Sequence, residues 1–417
     1  MAGKFQSDVL WNVGSLAILG IAGLALNVLI GEHWDAATLG VFNQALAAYT
    51  FFSMAAVGGI DRSALRAVAE ARGDRARAAA AAWATLVPTF LLAAVVSLLY
   101  WLARLPVAAL LESDGVARAM EASTPGLFFF ALNKVLLSVV NGAGRMKAFA
   151  AYQSLRYLGI LAALVAAMVV GLDGDRLMAV FTVAEALLCI ALGLDVSRLL
   201  RDVPSGWRGE IRGHVIFGAR SAVSGVLLEL NAKVDVWMIG IHMSDAAVGV
   251  YTYAAMLAEG LYQLVVVLQN VWNPILAERL AAGDHEAVRA AVRRGRVGAW
   301  IGVSAAAALG VLLFPLALSV VGARPEFLTA HLPFAILAGG IALASGYLPF
   351  GQILLMGGRP ATHTVLMIST VLANVAANAL LIPAFGLVGA ASATAASMLV
   401  SVLLLRALAH RQLGVRI

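Results

Sequence analysis

Twelve apolar runs constrain this chain more than any other feature, each long enough to cross a hydrocarbon core of about 30 Å as a helix of roughly 20 residues. They begin near Val9, Thr38, Ala80, Ser123, Phe149 and Leu177 in the first half, and near His214, Val250, Val297, Leu332, His363 and Ala390 in the second. Glycine, proline and charge clusters separate them. In lipid only helices and closed barrels satisfy every backbone group, and runs of this length fit helices. The expected fold class is therefore all-α integral membrane, with about 12 transmembrane helices. Only 12% of the residues are charged, against about 25% in soluble domains, which excludes a soluble enzyme or binding module. The first run exceeds the roughly 7 to 15 residue core of a signal peptide and reads as the first span.

Arginine sets the orientation. With the N-terminus inside, the loops on that side hold Arg62, Arg66, Arg72, Arg75 and Arg77, then Arg198, Arg201, Arg208 and Arg212, then Arg279, Arg289, Arg293, Arg294 and Arg296. The opposite loops hold only Arg104, Arg118, Arg176 and Arg324. The positive-inside rule then places both termini in the cytoplasm, and the expectation is a multi-pass membrane protein. The net charge of +6 is a topology signal on this reading and requires no nucleic-acid partner. Cys189 is the single cysteine and lies in an apolar run, so neither a disulfide framework nor a thiolate metal site is expected.

The two halves echo each other. Asp35-Ala36-Ala37 followed by Leu39-Gly40-Val41-Phe42 matches Asp245-Ala246-Ala247 followed by Val248-Gly249-Val250-Tyr251. Arg72-Gly73-Asp74 is answered by Ala282-Gly283-Asp284, and Gly144-Arg145 by Gly358-Arg359. Three matches in order at similar offsets read as a duplication. Six spans per half is an even number, so both halves enter the membrane from the same side and the repeat is parallel. The expected organisation is an N-terminal six-helix bundle over 1–197, a cytoplasmic linker over 198–213 and a C-terminal six-helix bundle over 214–417, arranged around a central cleft.

Polar residues inside the spans mark the candidate site, because charge at membrane depth is costly and faces a cavity or a partner. The seventh run carries Arg220, Glu229, Lys233 and Asp235. At about 100° per residue, Arg220, Ser224, Asn231, Asp235 and His242 share one narrow face, which is expected to line a polar interior. Glu229 and Lys233 are spaced to neutralise each other. Lys134 and Arg156 lie at the same expected depth as Arg220, about 10 Å from the cytoplasmic end at 1.5 Å per residue. Glu259, Gln263 and Asn270 fall in one sector of the eighth run, and Thr370, Asn374 and Asn378 follow at steps of four on the eleventh. Basic side chains at such depth also snorkel to the headgroups, and amides also bond helix to helix.

Val234-Asp235 through Gly240, Val248-Gly249-Val250-Tyr251 with Ala254 and Ala255, and then Pro274 resemble the middle signature of polysaccharide flippases. Those flippases belong to the multidrug/oligosaccharidyl-lipid/polysaccharide (MOP) exporter superfamily. Asn374, Asn378, Leu381-Ile382-Pro383, Phe385-Gly386, Gly389-Ala390-Ala391 and Thr394 are similar to its turn between the eleventh and twelfth helices. Resemblance to the Wzx-type branch implies export of an undecaprenyl-diphosphate-linked oligosaccharide from the cytoplasmic to the external leaflet by alternating access. Such export serves assembly of O-antigen, capsule or exopolysaccharide, with membrane lipids and a polysaccharide polymerase or export machinery as partners and no cofactor. On this reading Arg220, Lys134 and Arg156 meet the diphosphate. Ser224, Asn231, Asp235, Glu259, Gln263, Asn270, Asn374 and Asn378 line the glycan path or serve coupling to H+ or Na+.

Two rival readings are weaker. A cation-coupled multidrug antiporter of the same superfamily would favour an acidic or aromatic cavity, and the three cations would repel its substrates. A membrane glycan polymerase or glycosyltransferase has only Asp173-Gly174-Asp175 to recommend it, and that motif falls on the external side, away from cytosolic nucleotide-sugars.

Overall fold

In a computed structural model the backbone is described over residues 2–201, 203–321 and 324–415, and side chains outside 1–17, 202, 221–232, 321–323 and 416–417. The described chain is helical throughout, without a β-strand. The helices are α1 (Ala2–His33), α2 (Ala36–Val57), α3 (Ile60–Glu70), α4 (Arg75–Leu110), α5 (Asp114–Gly142), α6 (Met146–Val170) and α7 (Ala179–Leu200). They continue with α8 (Trp207–His242), α9 (Asp245–Ala281), α10 (His285–Val321), α11 (His331–Ala344), α12 (Ile353–Met356) and α13 (Pro360–Leu413).

Short polar residues start several of the long helices. Asp74, Ser113 and Ser244 accept from backbone N–H groups in the first turns of α4, α5 and α9 at 3.0, 3.4 and 3.4 Å, satisfying donors that no preceding turn can reach.

α13 has 54 residues, about 80 Å at 1.5 Å per residue, which no bilayer accommodates as one span. It breaks at Gly386, where φ is 56° and ψ is −132°. Glycine takes that conformation without a Cβ penalty. The two arms approach so closely at the turn that a Cβ on Gly389 would overlap the carbonyl oxygen of Leu381. The arms correspond to the expected eleventh and twelfth spans. Among the described residues eight helices are long and apolar enough to cross a membrane: α4, α5, α6, α7 with its preceding 3-10 turn, α9, α10, α11 with the 3-10 turn over Pro325–Ala330, and α13. The molecule is a multi-pass membrane protein of the expected all-α class.

Two short helices lie outside the span pattern. α3 lies in the arginine-rich segment for which the sequence predicts a loop. It buries Ile60, Ser63, Ala64 and Val68 and turns Arg62, Arg66 and Glu70 outward, with Arg66 Nε 2.7 Å from Glu70 Oε1. α12 is a single turn between α11 and α13. The expected linker is partly helical, since α7 runs to Leu200 and α8 begins at Trp207.

The chain forms two compact units. Unit 1 comprises Met1–Trp34 and Val41–Glu229, and unit 2 comprises Asp35–Gly40 and Leu230–Ile417. Each unit thus takes the start of one helix whose remainder lies in the other: unit 2 takes the first turns of α2, and unit 1 the first part of α8. In unit 1, Val68, Ala81, Leu137, Val140, Leu188 and Val196 form an apolar core. A separate aromatic group gathers Tyr49, Tyr100, Phe130 and Phe181. In unit 2, Leu276, Val288, Phe350, Leu354, Leu366 and Leu405 form the corresponding core.

Candidate functional site

Among the described residues, each unit holds a hydrogen-bonded ionisable cluster within its helices. In unit 2 the cluster is built on Asp235, near the end of α8. Its Oδ1 accepts from the amides of Asn378 at 2.9 Å and Asn374 at 3.2 Å. Its Oδ2 accepts from Thr394 Oγ1 at 2.6 Å and Tyr251 Oη at 3.1 Å. Four elements converge here: α8, the first turns of α9 and both arms of α13. The fold at Gly386 is what brings Asn374 and Asn378 on one arm alongside Thr394 on the other. Asn378 donates further to Asn374 Oδ1 at 2.8 Å, and Asn374 and Asn378 are 4% and 0% exposed.

Among the described residues every donor to this carboxylate is neutral. A buried ion costs several kcal/mol unless it is paired and hydrogen-bonded, and hydrogen bonds to a charged group contribute about 1.5 to 3 kcal/mol each. Among the described residues the cluster holds the carboxylate by hydrogen bonds from neutral groups. The buried Oδ1 of Asn378 has no hydrogen-bond partner among the described residues. Among the described residues no three His, Cys, Asp or Glu side chains gather as a metal site.

In unit 1 the cluster is an ion pair. Arg156 Nε on α6 lies 2.5 Å from Glu185 Oε1 on α7, and the side chains are 4% and 1% exposed. Asn133 on α5 donates to Glu185 Oε2 and to the Glu185 carbonyl, both at 2.8 Å. Phe130 lies under the guanidinium, 4.3 Å from Cζ to the ring centroid. Charge here is cancelled on the spot. Arg156 Nη2, Asn133 Oδ1 and Tyr49 Oη are nevertheless buried without a hydrogen-bond partner among the described residues.

The three expected diphosphate contacts all fall in unit 1. Lys134 is half-buried with Nζ 5.6 Å from the Phe130 ring, so it and Arg156 meet at one aromatic side chain. Arg156 is committed to Glu185. Arg220 is exposed on α8. On α9, Glu259, Gln263 and Asn270 form an exposed polar stripe. Ser224 and Asn231, with Glu229, lie outside the described side chains. Asp235, Asn374 and Asn378 are expected from the sequence as members of one cavity, whereas Tyr251, Thr394 and Asn133 are partners that only the structure reveals. Thr394 and Tyr251 stood within the quoted motifs, which was the available signal.

The arrangement matches known transporters in fold. The lipid II flippase MurJ in an inward closed conformation superposes with a TM-score of 0.76 at 14% identity, over 95% of this chain and 86% of that one. An inward-facing multidrug resistance MATE transporter of the MOP superfamily gives 0.72 at 15% identity, over 98% and 94%. A MOP transporter from Pyrococcus furiosus, described as having a binding pocket of reverse polarity, gives 0.57 at 13%, over 98% and 94%. No curated protein matches in sequence. The family profile described as "Polysaccharide biosynthesis protein" matches residues 7–279, more than half of the chain. This chain is accordingly a member of the polysaccharide biosynthesis protein family, built on the fold of the MOP-superfamily transporters.

Proposed function

We propose that this protein flips an undecaprenyl-diphosphate-linked oligosaccharide from the cytoplasmic to the external leaflet of a bacterial inner membrane, by alternating access and with both termini cytoplasmic. The exported glycan then feeds a polysaccharide polymerase or export machinery. The observation that carries this reading is the set of polar and cationic groups held inside the spans of a polysaccharide-biosynthesis family member. A glycan and a diphosphate need a wet lane through a core that rejects both. Exposed Glu259, Gln263 and Asn270 on α9 supply hydrogen-bonding groups for sugar hydroxyls, with Ser224 and Asn231 of α8 assigned to the same lane. Arg220, Lys134 and Arg156 supply positive charge for the diphosphate, Arg156 from its pair with Glu185.

Asp235 is the coupling carboxylate in this reading, and Asn374 and Asn378 hold it. A carboxylate with only neutral donors takes up H+ or Na+ in one state and releases it in the other, a differential interaction that can bias a two-state transporter. The membrane potential adds to this, because an inside-negative potential favours outward movement of negative charge by about 2.3 kcal/mol per charge per 100 mV.

Complementation of a bacterial strain lacking its own oligosaccharide flippase tests the proposal, scored by surface glycan and accumulated lipid-linked precursor. Rescue by the wild type and failure of Arg220→Ala at matched expression is the expected result. A well-expressed wild type that leaves precursor accumulated but confers resistance to cationic dyes would replace this reading with drug export.

A further inference from the structure

One turn occurs twice in this chain with the same backbone. Between α5 and α6, Gly144 takes φ 78°, the Arg145 N–H donates to the Val140 carbonyl at 3.2 Å, and the Phe149 N–H donates to the Arg145 carbonyl at 3.0 Å. Between α12 and α13, Gly358 takes φ 70°, the Arg359 N–H donates to the Leu354 carbonyl at 2.8 Å, and the His363 N–H donates to the Arg359 carbonyl at 3.1 Å. The steps are the same in both, each arginine N–H reaching back five residues and each arginine carbonyl taking the N–H four residues on. Glycine adopts the left-handed φ without a Cβ penalty. Arg145 and Arg359 therefore hold the same position in the duplication.

The two arginines differ in what they meet. Arg145 makes a two-pronged pair with Asp195 on α7, Nη1 to Oδ2 at 2.8 Å and Nη2 to Oδ1 at 2.9 Å. Arg359 is exposed and has no carboxylate within ion-pair distance among the described residues. The sequence explains the difference. No aspartate or glutamate occurs between Glu326 and Ile417, so the second arm of α13, the counterpart of α7 in the repeat, brings no acid to the turn. Asp284, in the turn between α9 and α10, spends its Oδ1 on the Ala287 N–H at 2.8 Å.

Arg359 borders a cavity of about 270 Å³ instead. His285 at the start of α10 and Gln412 in the last turn of α13 share its lining with apolar Leu280, Met356 and Leu413, and no acidic residue lines it among the described residues. The turn packs directly on the end of α13, since a Cβ on Gly357 would lie 2.6 Å from Leu413 Cδ2. All of these residues belong to unit 2. His285 and Gln412 are exposed, as Arg359 is, so the cavity is open to solvent. A guanidinium presents paired N–H groups that match a carboxylate or a phosphate, and imidazole and amide groups add donors. The volume lies below the roughly 300–1,000 Å³ of pockets for drug-sized ligands, which suits a small anion.

We infer that the cavity bordered by Arg359, His285 and Gln412 binds the oxyanion of a small cytosolic molecule, a phosphate or a carboxylate, which gives Arg359 the counter-charge that Asp195 gives Arg145. The arginine distribution puts this turn on the cytoplasmic side. The bound anion holds the start of α10 and the two ends of α13 together, as the Arg145–Asp195 pair ties the start of α6 to α7. The site is separate from the Asp235 cluster and stands whatever the transported substrate.

The test uses the full purified chain in phosphatidylcholine discs, with Tm followed against inorganic phosphate, succinate and chloride at matched ionic strength. Wild type should gain several degrees from phosphate or succinate in a saturable way, and nothing from chloride. Arg359→Gln, at an exposed position, should leave the anion-free Tm little changed and lower the apparent affinity at least tenfold. Gln412→Glu places an acid in the lining and should raise the anion-free Tm while removing the anion gain. Arg145→Gln is the control, expected to keep the full gain because its own anion is Asp195. No saturable gain in the wild type, an equal gain in Arg359→Gln, or an equal gain from chloride would overturn the inference. A separate arm uses discs containing phosphatidylglycerol. An Arg359-dependent gain from that lipid, with none from phosphate or succinate, would assign the site to a lipid headgroup and overturn the small-molecule assignment.

Discussion

Gly40 and Gly249 make the same contact in opposite directions. A Cβ on Gly40 would overlap the carbonyl oxygen of Asp245, and a Cβ on Gly249 would overlap that of Ala36. Asp245 precedes Gly249 by four residues as Ala36 precedes Gly40, so the duplicated motif packs on its own copy within unit 2. Backbones that close bring Cα–H groups against carbonyl oxygens, as small residues allow between membrane helices.

Alanine at Gly40 or at Gly249 is expected to destabilise the protein by about 1–3 kcal/mol, the usual cost of overpacking. Thermal unfolding of the purified chain measures it. Gly260 is the control, since its Cβ would meet nothing within 4 Å, and alanine there should raise helix stability by up to about 1 kcal/mol. Equal responses at the three glycines would refute the close-contact account.

Asp235→Asn retains the shape of the unit 2 cluster and removes its charge. Transport should fall at least tenfold and lose its dependence on the driving cation, with Tm shifted by only a few degrees. Flux in proteoliposomes under imposed proton, sodium and potential gradients is the measurement. Unchanged ion dependence would remove Asp235 from the coupling role.

Arg156 and Glu185 should behave as one unit. Arg156→Gln leaves a buried carboxylate without its cation, and Glu185→Gln leaves the reverse, each expected to cost about 3–5 kcal/mol. Replacing both with leucine should recover most of that loss, because the apolar pair has no charge to desolvate. A double-mutant cycle from unfolding measurements supplies the coupling energy. Additive single effects would mean that the pair is not a unit.

Arg220 is exposed, so Arg220→Ala should change stability by no more than about 0.5 kcal/mol and reduce transport at least tenfold. Arg220→Lys should restore part of the rate, since a phosphate contact needs charge more than shape. Transport at wild-type rate in Arg220→Ala would exclude it from the diphosphate lane.

The all-helical membrane fold and the repeated Asp-Ala-Ala and Gly motifs were legible in the sequence. Span length and apolar runs are local properties set by bilayer thickness and helical rise. The polar face holding Asp235 and the four-residue spacing of Asn374 and Asn378 were legible for the same reason, because helical periodicity fixes which residues of one helix share a side. The partners of those faces were not legible. Asp235 meets Asn374, Asn378 and Thr394 across 139, 143 and 159 residues, and only the fold at Gly386 puts both arms of α13 beside it. Arg156 looked like an open cation on its own helix, but packing of α6 against α7 and α5 gave it Glu185 and a buried environment. Basic residues 62–77 looked like a loop until α3 found apolar neighbours for Ile60, Ala64 and Val68. Sequence determined the helices and their faces, whereas tertiary packing decided which charges are cancelled, which are held by neutral donors and which stay exposed, because burial and partner choice depend on residues far apart in the chain.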